Sequence, residues 1–482
     1  MSLSTLVKTI QDIMRKDVGV DGDAQRISQI VWLLFLKIFS DKEVEWEATE
    51  PNYVSPLQTR FQWKNWAAND EGMTGEELID FVNNNLFPAL KALAVTAGVS
   101  PRGKVVGGIF EDAYNYMKSG HLLKQVINTI EGDVDFNSSQ NRHLFGDIYE
   151  NLLSDLQSAG NAGEYYTPRA VTQFMVDIID PQLGESVLDP ACGTGGFLVN
   201  VIEHLRKQVK TPKDDKLLQK AIHGVEKKPL PHMLATTNMM LHGIDVPTNI
   251  RHDNTLSKSL VKYGPKDRVA CIITNPPFGG MEEDGIERNF PRKYQTRETA
   301  DLFMALIMHL LKPGIGRAAV VLPDGFLFGE GVKATIKKEL LTDFNLHTIV
   351  RLPNGVFSPY TGIKTNILFF DKDGPTKDVW FFEHPYPEGY KSYSKSRPLT
   401  IKEFDREKKW WNKREENEYA WKVSAKEIAD KNYNLDINNP HIIAENHGDP
   451  EELLAEYNNL QAEINATCEA LKNELTAALE AK

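Results

Sequence analysis

Two short stretches hold residue types that could work on one substrate together. The first, "TNPPFGG" (274–280), follows the apolar run "VACII". Proline has no N–H to donate and fixes its own φ, and the residue before it is pushed toward extended backbone. Pro276 therefore constrains Asn275, and Pro277 constrains Pro276. The strand end becomes stiff and aims the Asn275 amide, the Pro276 carbonyl and the Phe278 ring in fixed directions. A turn needs one proline, so two in succession suit a site. The second stretch, "SVLDPACGTGGFL" (186–198), reads as a strand ending in Asp189, then a glycine-rich turn that opens a helix. Open α/β sheets hold nucleotide-like ligands this way at their carboxyl edge. In "DPACGTGGF" the turn comprises Pro190, Cys192, Gly193, Thr194, Gly195, Gly196 and Phe197. Its glycines lack a Cβ and let backbone approach a ligand closely. The spacing is G-x-G-G and not G-x-G-x-x-G, which disfavours a pyrophosphate cradle.

Two further acids extend the pattern. "HGVEKKP" places Glu226 at the end of a second strand, where a carboxylate can accept the ribose hydroxyls of an adenosine. "RHDNTL" places Asp253, followed by Asn254, at the end of a third, where a carboxylate can accept an adenine amino group. Asp189, Glu226 and Asp253 capping three successive strands point to an adenosine-bearing cofactor. His223 and His252 have no partner at metal-binding spacing and read as packing residues. Cys192, Cys271 and Cys468 are too scattered for a disulfide framework or a metal site.

Elements must hold these residues in place. Residues 1–155 read as an all-helical N-terminal domain, with apolar positions three and four apart in "LVKTIQDIM", "ISQIVWLLFLKIFSD", "GHLLKQVINTI" and "LFGDIYENLLSDL". Residues 156–400 alternate short β-branched runs with helical stretches: "SVLD", "AIHGVE", "NIRHD", "VACIITN", "RAAVVLP", "LHTIVRLP" and "NILFFD". Strands buried on both faces read this way and predict a mostly parallel, doubly wound α/β sheet. The last two runs are close enough for an antiparallel hairpin at one edge. Residues 401–482 read as a charged, aromatic connector, "FDREKKWWNKREENEYAWKVS", and a single terminal helix. On that helix Leu453, Tyr457, Leu460, Ile464, Cys468, Leu471 and Leu475 form an apolar stripe that either folds back or meets another chain.

The formal net charge of −12 argues against a chain that grips nucleic acid unaided, which would show a basic excess. The longest apolar stretch, "IVWLLFLKIF", is half a membrane span and contains a lysine, so it reads as a buried helix. The N-terminus shows no secretory pattern, and the chain is expected to be cytoplasmic, with no membrane association.

"DPACGTGGF" with downstream "NPPF" resembles the S-adenosylmethionine-dependent amino methyltransferases of DNA, in the order where the cofactor loop precedes the catalytic tetrapeptide. With the helical N-terminal domain and "GEYYTPRAV" (163–171), the chain is similar to the modification (M) subunit of type I restriction–modification systems. The resemblance is strong from about 140 to 370 and weak in 50–110 and 375–430. It implies that Glu164, Tyr165, Tyr166, Thr167 and Pro168 cover the methionine end of S-adenosylmethionine, that Glu226 binds its ribose and that Asp253 binds its adenine. It implies DNA, a specificity (S) subunit shared by two M subunits, and a restriction (R) subunit as partners.

The tetrapeptide suits that chemistry. An exocyclic amino nitrogen is a poor nucleophile because its lone pair is delocalised into the ring. If the Asn275 oxygen and the Pro276 carbonyl both accept its hydrogens, the nitrogen can pyramidalise toward a sulfonium methyl. Phe278 would stack on a base that has left the duplex, with Tyr360 as a second wall. The sulfonium supplies the leaving group, so no metal is expected. Adenine N6 is the leading acceptor. Cytosine N4, RNA, a protein glutamine amide and a non-catalytic assembly role remain as alternatives.

Overall fold

The computed structural model describes residues 3–133, 167–358, 362–394, 396–441 and 450–480. Residues 3–133 are helical, built around the helix Asp23–Thr49, which is buried continuously from Gln29 to Glu43. Trp32 meets Phe87 and Phe110 edge-on at ring distances of 5.0 and 6.5 Å, so the apolar run is a core helix, as its length required. Its lysine is tolerated because Lys37 Nζ lies 3.0 Å from Asp41 and 3.2 Å from Glu131, and a buried ammonium needs such partners. The expected helix at "LFGDIYENLLSDL" lies outside the described residues.

Nine strands form one sheet: β1 (Val187–Asp189), β2 (Ile222–Glu226), β3 (Ile250–His252), β4 (Cys271–Thr274), β5 (Arg317–Pro323), β6 (Asn345–Leu352), β7 (Thr365–Asp371), β8 (Asp378–Glu383) and β9 (Ala420–Ser424). Their order is β3-β2-β1-β4-β5-β7-β6-β8-β9. Strands β1 to β5 pair in parallel, and helices cover both faces, as the near-continuous apolar runs demanded.

The antiparallel pair departs from expectation in place. β7 runs antiparallel to both β5 and β6 and is inserted between them, inside the sheet and not at its edge. The described residues of the 353–364 connection form turns and no helix, and β7 returns beside β6 in the opposite sense.

The connector expected from residue 401 is also corrected. Strand β9 pairs with β8, and the compact unit runs from Met1 to Ile437, with a second unit from Asn438 to Lys482. The stretch misled because its charges alternate with tryptophans. Trp421 stacks on Phe381 at 5.3 Å, Trp410 is buried, and the Arg414 guanidinium lies 4.6 Å over Trp411. Long charged stems cover aromatic surface here and do not signal a linker.

The helix Pro229–Leu241 belongs to two cores. Met233, Leu234, Met240 and Leu241 pack with the N-terminal helices, whereas Ala235 and Met239 pack beneath the sheet. Within the second unit, Pro450–Glu480 is one helix, and Tyr457, Leu460, Ile464, Cys468 and Leu471 of its stripe are exposed. Among the described residues, no helix is long and apolar enough to cross a membrane.

Candidate active site

The strand order reverses between β1 and β4, which pair in parallel at Val187↔Cys271 and Leu188↔Ile272. Ligands of open α/β sheets sit outside the carboxyl ends of the strands at such a reversal. Both sequence motifs leave the sheet there, and a side chain joins them. Thr274 Oγ1 donates to Asp189 Oδ1 at 2.7 Å, and the Ala191 amide donates to the same oxygen at 3.1 Å. Thr274 was not singled out from the sequence. Its signal was a polar residue closing an otherwise apolar strand.

Asp189 lies beneath the glycine turn, 1% exposed, and its Oδ2 has no hydrogen-bond partner. Burial pushes its carboxyl up to about 7; the bonds from Thr274 and Ala191 oppose this, and the charge of Glu226 adds to it.

The turn is pinned on several sides. Cys192 N donates to Val225 O at 3.0 Å, Gly193 N to Glu226 Oε2 at 2.9 Å, and Asn238 Nδ2 to Thr194 O at 3.2 Å. Thr255 Oγ1 donates to Pro190 O at 2.7 Å. Asn238 and Thr255 were missed by sequence reasoning, since nothing in their spacing relates them to the turn. Gly193 adopts φ +53°, and a Cβ there would meet no atom within 4 Å, so its backbone faces open space. Gly195 adopts φ +85° against the methyl of Met239, and Gly196 opens the helix Gly196–Arg206. Cys192 and Phe197 are buried. A Cβ on Gly224 would lie 3.0 Å from the Cys192 sulfur, so Cys192 fills space between turn and β2.

Glu226 closes β2, and its second oxygen accepts from the Lys228 amide at 2.7 Å. Asp253 is exposed just past β3, and its amide donates to the Glu226 carbonyl at 3.0 Å, which sets the two acids side by side along the crevice. Asn254 is engaged differently from the expectation: its oxygen caps Leu256 N at 3.0 Å and its Nδ2 donates to Glu282 at 3.3 Å. His252 stacks on His232 at 5.1 Å, a packing arrangement.

At the end of β4, Asn275 Nδ2 donates to Thr167 Oγ1 at 2.8 Å. Its Oδ1 is buried and accepts no hydrogen bond. Pro276 is buried and Pro277 exposed. The Phe278 ring is 6% exposed and packs edge-on to Phe357 at 6.0 Å. An aromatic that follows two prolines can turn into the core as readily as out of it. Thr167 and Pro168 border the helix Arg169–Ile179, while Glu164, Tyr165, Tyr166 and Tyr360 lie outside the described residues.

The chain is similar to known proteins along nearly its whole length. The N-6 DNA methylase profile matches residues 140–448, and the HsdM N-terminal domain profile matches residues 3–130. The chain is 60% identical to the EcoEI type I restriction enzyme methylase subunit of Escherichia coli, over 99% of each chain. It is 30% identical to the EcoKI methylase subunit of Escherichia coli strain K12, over 76% of this chain and 73% of that one. Among solved structures, a type I modification subunit from Vibrio vulnificus YJ016 superposes with a TM-score of 0.84 at 45% identity, covering 93% of this chain and 98% of the other. A chain from a type I R-M system assembly superposes with a TM-score of 0.81 at 36% identity, over 98% of each.

Proposed function

The chain belongs to the N-6 DNA methylase family as a type I methylase subunit, and on that premise we propose which residues perform the transfer: the β1/β4 crevice binds S-adenosylmethionine, and Asn275 and Pro276 present a DNA adenine N6 to it. One observation carries the reading. Asn275 has its nitrogen anchored on Thr167 while its buried oxygen is unpartnered, an orphan acceptor at the sheet edge where an amino donor would complete it. A buried acceptor without a partner costs about 1–3 kcal/mol, so the site is poised for a ligand that donates.

The bound cofactor supplies an electrophilic methyl group on a sulfonium. The chain's residues do the rest. Gly193 lets backbone approach, Glu226 at the end of β2 accepts ribose hydroxyls, and Asp253 beside it accepts the adenine amino group. Asn275 Oδ1 and the Pro276 carbonyl take the two amino hydrogens, which draws the nitrogen out of conjugation. Asparagine accepts without adding a negative charge beside the cation.

The net charge of −12 supports division of labour in DNA binding. In this reading an S subunit reads the sequence, two copies of this chain flank it, and an R subunit joins for cleavage. The exposed stripe of the helix Pro450–Glu480 is the surface offered to the S subunit's helices. The test is to incubate the chain, with and without an S subunit, with methyl-labelled cofactor and DNA, then digest to nucleosides. Label in N6-methyladenine, dependent on the S subunit, is the expected result. Label in N4-methylcytosine, or none with the S subunit present, refutes the reading.

A further inference from the structure

Residues 375–430 carry no recognisable motif, yet they build a network directed at the catalytic end of the sheet. Its centre is buried and polar. His384 Nδ1 lies 2.5 Å from Glu407 Oε1; the histidine is 2% exposed and the acid fully enclosed. Tyr393 OH donates to Glu403 Oε2 at 2.5 Å, and its oxygen lies 3.4 Å from His384 Nε2. Glu403 is itself fixed, accepting from the Thr400 amide at 2.8 Å and hydroxyl at 2.9 Å. Such a chain of partners, sealed from water, holds its members in one geometry.

The network bears on the loop between β6 and β7. Gly355 adopts φ +81°, and a Cβ there would stand 2.5 Å from the Tyr393 carbonyl oxygen and 3.1 Å from its nitrogen. Loop and buttress backbone are therefore in direct contact, and only glycine permits it. From the same side Tyr386 OH donates to the Asn354 carbonyl at 2.9 Å. The next residues, Val356 and Phe357, are buried, and Phe357 is the ring that meets Phe278 of the catalytic tetrapeptide. A continuous path leads from Glu407 through His384, Tyr393 and Gly355 to Phe357, Phe278 and Asn275.

We propose that the segment His384–Glu407 is a buttress that sets the position of the catalytic tetrapeptide, with Tyr393 and Tyr386 as positioning residues for the methyl-accepting side of the reaction. The inference rests on the reading of Asn275 given above. The cofactor turn is pinned by other residues, among them Glu226, Asn238 and Thr255, so the buttress acts on the acceptor side and not on cofactor affinity.

The test uses the complex with its S subunit and compares wild type with Tyr393→Phe, Tyr386→Phe and Asn275→Ala. Each tyrosine variant keeps its ring and loses its hydroxyl bonds. Expected for both is a kcat for methylation lowered by about tenfold, since small misplacement of reacting groups is costly, with cofactor Kd within about twofold of wild type and the thermal midpoint lowered only as the loss of one hydroxyl bond requires. Wild-type kcat in both tyrosine variants, with Asn275→Ala inactive, overturns the buttress alone. Loss of kcat in step with cofactor affinity and thermal midpoint also overturns it, since that pattern is general destabilisation. Wild-type kcat in Asn275→Ala overturns the underlying site reading and the buttress with it.

Discussion

At the scale of single residues, what matters is which polar atoms are satisfied. Asn275 and Asp189 sit at the ends of adjacent strands, and each has one buried oxygen without a partner. For Asn275 the partner proposed above is the substrate's amino group. Asn275→Ala should lower methylation by at least about a hundredfold while leaving calorimetric cofactor affinity within about twofold, because it removes an interaction made with the acceptor. Equal losses in both would assign the residue to the scaffold. For Asp189 the consequence is a pH dependence. Its folded carboxyl is raised from 3.8 to about 7, so between those values the folded chain binds more protons than the unfolded one. The stability this contributes is complete below the unfolded value and is lost as pH rises through the folded one. Thermal midpoints taken at about pH 5 and about pH 8 should fall with pH more in the wild type than in Asp189→Asn, which cannot ionise. Parallel shifts in the two proteins would refute this assignment.

At the scale of elements, the cross-strand bond from Thr274 to Asp189 makes β1 and β4 a single support for cofactor turn and tetrapeptide. Thr274→Val keeps shape and removes the donor. It should destabilise the chain by about 1–3 kcal/mol, read as a lowered denaturant midpoint, and weaken cofactor binding as the turn loosens. An unchanged midpoint would mean that the bond carries no weight. The first seven strands were legible because each lies in a short run with β-branched residues, most of them buried on both faces, and the acids at the ends of β1 and β2 and just past β3 were legible because a carboxylate ending such a run has few other uses. β8 and β9 were not. "DVWFFE" looks like any apolar run near a turn, and "AWKVS" is masked by the charges before it, whose stems lie over tryptophans. The reach of Thr274, Asn238 and Thr255 into the turn was also illegible, since their partners lie 85, 44 and 65 residues away. Phe278 shows the converse: its place in the motif was plain, but its burial against Phe357 depends on a loop about eighty residues on.

At the scale of the molecule, the proposed chemistry and the proposed partner surface fall in separate units. The unit ending at Ile437 holds the whole candidate site, and the unit from Asn438 holds the exposed stripe. Truncation at Asp449 should therefore leave cofactor binding and thermal midpoint intact while abolishing co-elution with an S subunit on size exclusion, and with it DNA methylation. A co-eluting truncated complex would refute the assignment of that helix. One feature reaches across the larger unit. The helix Pro229–Leu241 has residues in the N-terminal helical core and residues beneath the sheet, and from it Asn238 holds the Thr194 carbonyl while Met239 lies against Gly195. A helix gripped on two faces links what it touches. If a reorientation of the N-terminal helices shifts the cofactor turn through it, thermodynamic reciprocity requires an occupied turn to bias those helices by the same free energy. The affinity of the helical domain for whatever docks on it would then change with cofactor occupancy, and equal affinity with and without cofactor refutes the coupling.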